Sequence, residues 1–300
     1  MNRLPRFKRA PNLPPMQLTD RDRQIIRLVH GHDFVRSSHV VSLIGESRQQ
    51  ILRRLQLLFH HGYLERPRAQ LRYYERGGSR DIAYGLGSKG ARLLFQENGL
   101  TIQPAKWNKK NHVVGRLFLE HALFVSDIMT TIDLACRMNG AVRFIQDDSL
   151  ELRLRKRPIQ WRVKLSNGKR ISVIPDRVFV LEHTGQNGQI HRIHYFLEAD
   201  RGTMPVERRN LAQTSFKRKI LAYAATWKEG LHRSRLGIDR FRVLTVTTVP
   251  KRVNSLVASC SQLASGHRLF LFADKSVLSE NILSAKLRTG WPNQTTSLLN

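Results

Sequence analysis

The chain has 300 residues, 41% of them hydrophobic, which is enough for two folded domains, and its charge is the unusual feature: 51 Lys+Arg against 23 Asp+Glu, a formal net charge of +28. So large an excess repels itself in the compact state and favours a polyanionic partner, nucleic acid above all, over a generic solubility surface or a membrane-surface binder. No apolar run is long enough to span a bilayer and Pro5, Pro11, Pro14 and Pro15 break up the basic N-terminus, so neither a membrane span nor a signal peptide is read; Cys136 and Cys260, far apart and unpaired in pattern, suit a reducing cytoplasm.

Residues 1–17 read as a flexible basic arm carrying Arg3, Arg6, Lys8 and Arg9. Thr19 is then a helix cap with Asp20 and Asp22 in the first turn, and Ile25, Ile26, Leu28 and Val29 form the apolar face. A short second helix follows Ser37-Ser38 with Val40, Val41, Leu43 and Ile44, and Gly45 stops it. Ser47 opens a third helix to about His60, with Ile51, Leu55 and Leu58 at helical spacing and Gly62 beyond its end. Three short helices with a glycine turn before the third make a helix-turn-helix. Strand-like Tyr63–Arg66, a basic loop over 68–81 and the returning segment Ile82–Leu86 supply a wing, and a helix from Ser88 closes the 18–98 module. Residues 99–112 read as a linker.

The third helix points Arg48, Gln49, Gln50, Arg53, Arg54 and Gln56 away from its apolar face. Arginine grips guanine and glutamine adenine bidentately in the major groove, so this helix is read as the recognition element. Arg66, Arg68, Arg72, Arg76 and Arg80 in the wing, with Tyr73-Tyr74, suit phosphates and sugars. The competing interpretation of such a helix is a solvated basic surface, or a winged helix used for protein contacts only.

A long helix at about 113–138 opens the second part, with Val114, Leu117, His121, Phe124, Ile128 and Ala135 on one stripe. Strands follow at about 142–153, 171–182 and 193–200, then a helix at 207–229 with the stripe Phe216, Ile220, Tyr223 and Trp227, and a strand at 242–247. A helix at 250–264 and a strand at 269–272 complete the α/β domain of residues 113–274, before a tail at 275–300. The order α-β-β-β-α-β predicts a three-layer core on a mixed sheet, so the whole chain is α+β. Asp176 falls mid-strand after Pro175, and Glu198 and Asp200, two apart, share a sheet face. If neighbouring strands bring these acids together, they form a hard-oxygen site for Mg²⁺ or Mn²⁺. The competing interpretation is a structural network, Asp200 pairing with Arg201 or Arg208 and Asp176 with Arg177. His121, on an apolar stripe, reads as a core histidine, and no histidine pair has zinc-like spacing.

The segments His121-Ala-Leu-Phe-Val-Ser-Asp127, Pro175-Asp176 and Phe196-Leu-Glu-Ala-Asp-Arg-Gly-Thr203, behind the helix-turn-helix, resemble the replication-relaxation family over about residues 18–248. The order of elements and the Pro-Asp…Glu pattern are also similar to the PD-(D/E)XK, restriction-endonuclease-like fold. The resemblance implies a plasmid or mobile-element replication or mobilisation protein that acts on double-stranded DNA, with relaxase-like nicking by a divalent metal. It also implies that Asp176 and Glu198 are the motif acids, with Asp200 a third tentative ligand. Where the motif has its lysine this chain has Asp200, which cannot supply the positive charge. Lys217 or Lys219 on the next helix, or Arg201, would have to replace it, and Glu120 is an additional candidate ligand. The alternative is a non-enzymatic regulator whose α/β domain serves homodimerisation or docking of other replication or mobilisation proteins.

Overall fold

In a computed structural model of the chain, residues 4–45, 47–73, 81–98, 114–146, 159–165, 168–185, 187–209 and 213–300 are described. The chain divides into two compact units, Met1–Thr130 and Thr131–Asn300. It has eight helices and a seven-stranded mixed sheet beside two smaller sheets among the described residues, an α+β protein.

The first unit opens with α1 (Asp20–His32), started by a capping box in which Thr19 and Asp22 satisfy each other's backbone donors. Strand β1 (Phe34–Arg36) leads into α2 (Ser37–Ile44), which ends on Gly45 in the left-handed region, φ 75°, where a Cβ would be strained. Helix α3 (Arg48–His60) buries Ile51, Leu55, Leu58 and Phe59 against Ile25, Ile26 and Val29 of α1. Then come β2 (Leu64–Glu65), a 3-10 turn (Arg68–Tyr73), β3 (Ala83–Leu86) and α4 (Ser88–Asn98). The strands form an antiparallel sheet in the order β1-β3-β2. The three-residue β1 is absent from the sequence reading, because so short a segment shows no alternation. The buried Gln70 amide pairs with both the N–H and the C=O of Ala83, at 2.8 and 2.9 Å, as a side-chain substitute for another strand. The linker expected at 99–112 lies outside the described residues.

Helix α5 (Arg116–Asn139) belongs to the first unit up to Thr130. Its expected stripe holds at Phe124 and Ile128 and fails at Leu117, which is 68% exposed. The family-like Ser126-Asp127 pair is a tether. Ser126 donates to the Phe34 carbonyl at 2.6 Å, and Asp127 accepts from Arg36 at 3.0 Å and lies 2.7 Å from His39 Nε2. Hydrogen bonds from His39 and Arg36 hold the Asp127 carboxyl below the usual range despite its burial.

In the second unit β4 (Val142–Gln146), β7 (Arg177–Thr184), β8 (Ile190–Asp200), β9 (Phe241–Thr247), β10 (Phe270–Asp274), β11 (Leu287–Thr289) and β12 (Thr295–Thr296) form one sheet, in the order β12-β11-β10-β9-β8-β7-β4. Pairs β8–β9 and β9–β10 are parallel and the others antiparallel. A separate hairpin, β5 (Trp161–Lys164) with β6 (Arg170–Val173), precedes β7. The expected continuous strand at 171–182 is therefore two strands in two sheets, divided at Ile174-Pro175-Asp176. Proline has no N–H for a ladder and restricts the residue before it, so the break was written at Pro175. Helix α6 (Phe216–Lys228) starts nine residues later than expected, where Ser215 caps it, and α7 (Leu231–Ser234) and α8 (Pro250–Ser261) follow. Phe216, Ile220 and Tyr223 of α6 and Val253, Leu256 and Val257 of α8 cover the sheet face that carries Phe196, Val243 and Phe272. Trp227, expected on the same stripe, is 42% exposed. Residues 275–300, read as a tail, contribute β11 and β12, and the Leu298 carbonyl accepts from the buried Tyr195 hydroxyl.

Candidate functional site

In the first unit Arg48, Gln49, Gln50 and Arg53 of α3 are exposed, as a reading helix requires. Gln50 accepts from Arg21 of α1 at 3.1 Å. Arg54 is committed elsewhere: its guanidinium forks onto the fully buried Asp22 carboxylate and also donates to the Gln17 carbonyl at 3.3 Å. Those contacts hold the Asp22 carboxyl below its ordinary range against the opposing effect of burial.

Arg66 is also diverted. It is 4% exposed, lies 4.3 Å from the Phe59 ring centroid and 5.1 Å from that of Tyr84, and donates to the Tyr84 hydroxyl at 2.9 Å and to the Arg6 carbonyl. The N-terminal arm, expected to be free, is held here. Arg9 donates to the Phe59 carbonyl at 3.0 Å and to Glu65, and the Ala10 N–H to His60 Nδ1 at 3.1 Å. Arg68 is exposed, and Arg72 lies in the 3-10 turn. Arg76, Arg80 and Tyr74 lie outside the described residues. The major-groove candidates therefore narrow to Arg48, Gln49, Gln50 and Arg53.

In the second unit the register does the positioning. Arg177 pairs with Leu197 across β7 and β8, so Asp176, one position before, faces Glu198 on the same side of the sheet. Asp176 donates its N–H to the Leu197 carbonyl at 3.0 Å, and its carboxylate accepts the Ala199 N–H at 2.8 Å. On the other side Glu198 neighbours Thr245 of β9, and Asp200 neighbours Thr247. Both threonine hydroxyls are buried without a hydrogen-bond partner among the described residues. The row Asp176–Glu198–Thr245 thus sets two carboxylates and an unused hydroxyl side by side at the ends of β7, β8 and β9.

Helix α6 places cationic and phenolic groups over this row. Lys219 pairs with one Glu198 oxygen and the Tyr223 hydroxyl donates to the other at 2.7 Å. Burial pushes the Glu198 carboxyl up to about 7; Lys219 opposes the shift and Asp176 adds to it. The three surrounding carboxylates hold the Lys219 ammonium above its usual range, so it stays charged. Lys217, the first choice from sequence, faces Glu207 at 3.3 Å and Gln262 instead. Two helical positions, about 200° of rotation, separate the two lysines.

Asp200 does not complete a triad of acids. Its carboxylate is gripped by Arg252 of α8 and accepts the Gly202 N–H at 3.1 Å, while Arg252 also reaches the Met204 carbonyl. Gly202 sits at φ 75°, so the Asp-Arg-Gly stretch is a locked turn at the end of β8. The partner of Asp200 is thus Arg252, not Arg201 or Arg208, and among the described residues no three His, Cys, Asp or Glu side chains are grouped to hold a metal ion. One or two carboxylates are what Mg²⁺ ordinarily takes from a protein, and Asp176 and Glu198 face each other as such a pair. Glu120, in the other unit, pairs with Arg116 at 2.7 Å.

A sequence model of the replication-relaxation family matches residues 26–239, well over half of the chain. The chain belongs to the replication-relaxation family. Membership suggests a role in plasmid or mobile-element replication. No curated protein and no solved structure matches significantly. Within this replication-relaxation protein the matched segment contains α3, the Ser126-Asp127 tether, Asp176 and the Glu198–Gly202 stretch. Among the described residues no helix is long and apolar enough to cross a membrane.

Proposed function

We propose that this protein binds a duplex site on a plasmid or other mobile element through a winged helix-turn-helix in its first unit and nicks DNA at the acidic row of its second unit. What carries the enzymatic part is Asp176 set opposite Glu198 with Lys219 on the same carboxylate. The chain order α5-β4-β7-β8-α6-β9 supports a PD-(D/E)XK-like reading in which the motif lysine has moved from position 200 to Lys219 on α6. A bound Mg²⁺ or Mn²⁺ would be held by Asp176 and Glu198 and would supply charge stabilisation for the phosphodiester and a more acidic water. The chain's own groups do the rest: Lys219 offsets negative charge, Tyr223 fixes the Glu198 carboxyl, and the Asp200–Arg252 turn fixes the end of β8. Arg48, Gln49, Gln50 and Arg53 read base edges, and Arg68, Arg72, Arg76 and Arg80 meet phosphates.

The pairing of Glu198 with Lys219 and Tyr223 favours a second reading, in which the row is a closed structural network and the protein is a non-enzymatic DNA-binding regulator. Incubation of supercoiled plasmid carrying the cognate origin with the protein and Mg²⁺ or Mn²⁺, beside Asp176→Ala and Glu198→Ala, separates the two. Nicking by the wild type and by neither variant is the expected result. An intact plasmid with the wild type leaves the regulator.

A further inference from the structure

The β5–β6 hairpin has two unlike faces. Trp161, Val163, Ile171 and Val173 are buried, and Trp161 donates its indole N–H to Thr226 of α6 at 2.9 Å while its ring lies 5.1 Å from that of Phe196. The ribbon is therefore fixed on the body of the second unit. Its other face exposes Arg162, Lys164, Arg170 and Ser172. The register sets Lys164 directly across from Arg170, and Arg162 across from Ser172. Like charges directly opposite each other on a strand pair are destabilising. No ion pair relieves Arg162, Lys164 or Arg170 among the described residues. A face shaped only for solubility intersperses both signs. Three cations and no anion on a rigid ribbon suit a polyanion, which removes the repulsion by neutralising it.

We propose that the outer face of β5–β6 is a DNA-backbone contact of the second unit, with Arg162, Lys164 and Arg170 neutralising phosphates. The inference rests on the DNA-binding reading above and extends it to a surface outside the helix-turn-helix. Chain continuity ties that contact to the acidic row. Arg170 precedes Asp176 by six residues, which span at most ~20 Å. With the reach of the side chains added, the phosphates on the hairpin lie within roughly one turn of duplex, about ten base pairs, of the bond that Asp176 and Glu198 address.

The test is fluorescence anisotropy of a mixed-sequence duplex with full-length protein, from about 50 to 200 mM salt. Each lost phosphate contact lowers the steepness of log K against log salt by about 0.9, so Arg162→Ala/Lys164→Ala/Arg170→Ala is expected to lose between two and three in slope and bind on the order of 10–100-fold more weakly at low salt. The charge-preserving set Arg162→Lys/Lys164→Arg/Arg170→Lys should keep the wild-type slope, and the melting temperature of the alanine variant should not fall. Arg162→Ala alone, with an expected slope change of about one, decides the matter if the triple variant does not fold. A wild type that binds with a slope the alanine variants leave unchanged overturns this proposal and spares the DNA-binding reading. A wild type that ignores the duplex overturns both.

Discussion

Lys219→Met is expected to cost on the order of 10²–10³-fold in metal-dependent nicking, the effect of removing one preorganised charge partner from a reacting centre. The variant leaves the buried Glu198, with Asp176 facing it, without the Lys219 ammonium. Lys217→Met, two positions away on α6, changes only contacts to Glu207 and Gln262 and should leave the rate near wild type. The pH profile separates a chemical role from a merely structural one. The wild-type Glu198 carboxyl is pushed up to about 7, so cation binding and nicking should rise as pH passes through that value. Without Lys219 the carboxyl loses the group that opposes this shift, and the rise should move to higher pH. The sign for stability runs the other way. A carboxyl raised above its unfolded value favours the fold while protonated. That stabilisation is complete below the ordinary glutamate range and is lost as pH rises toward 7. Metal-free Glu198→Gln should lack this decline, as thermal melts between about pH 4.5 and 7 would show. Equal rates for the two lysine variants, with parallel pH profiles, would remove Lys219 from the chemistry.

Asp22→Ala should destabilise the first unit by about 2–3 kcal/mol, a fall of about 10 °C in melting temperature. It removes the buried partner of Arg54 and one half of the Thr19–Asp22 capping box together. The cost stays below that of a fully buried pair because Arg54, 22% exposed, keeps some access to water. The Asp22 carboxyl is held below its usual value, so its contribution is present above the ordinary aspartate range and is lost as pH falls through the depressed value. Arg54→Ala should show a similar loss of stability, whereas Arg53→Ala should melt like the wild type and lose affinity for a cognate site more than for random duplex. Calorimetry beside anisotropy reads both. If Arg54→Ala melts like the wild type, the Asp22 contact does not hold α1 and α3 together.

These two residues also show where the sequence was legible. The Thr19 cap, the Gly45 break and the Ile51, Leu55 and Leu58 spacing are local signals, and the helices stand where those signals put them. Asp176 and Glu198 were legible because acids at strand ends are costly unless used, and the register places them face to face. The fates of Arg54 and Arg66 were not. An arginine on a helix or strand looks the same whether it faces water or reaches a carboxylate 32 residues away, and only the packing of α1 on α3 decides. Lys219 and Lys217 lie two positions apart, about 200° around the helix, and a start displaced from residue 207 to Phe216 leaves undetermined which of them meets Glu198. The split of 171–182 and the strands after residue 275 depend on sheet edges, whose partners are distant in sequence.

Whether the protein is built to hold duplex DNA is decided by binding of the full-length chain to a duplex carrying the origin of its own element, at about 50 mM salt and again near 200 mM. Tight association at low salt that weakens steeply with added salt is the expected result, with preference for the origin lost in Arg53→Ala. No association at low salt would contradict it, since +28 of net charge would then serve something other than DNA.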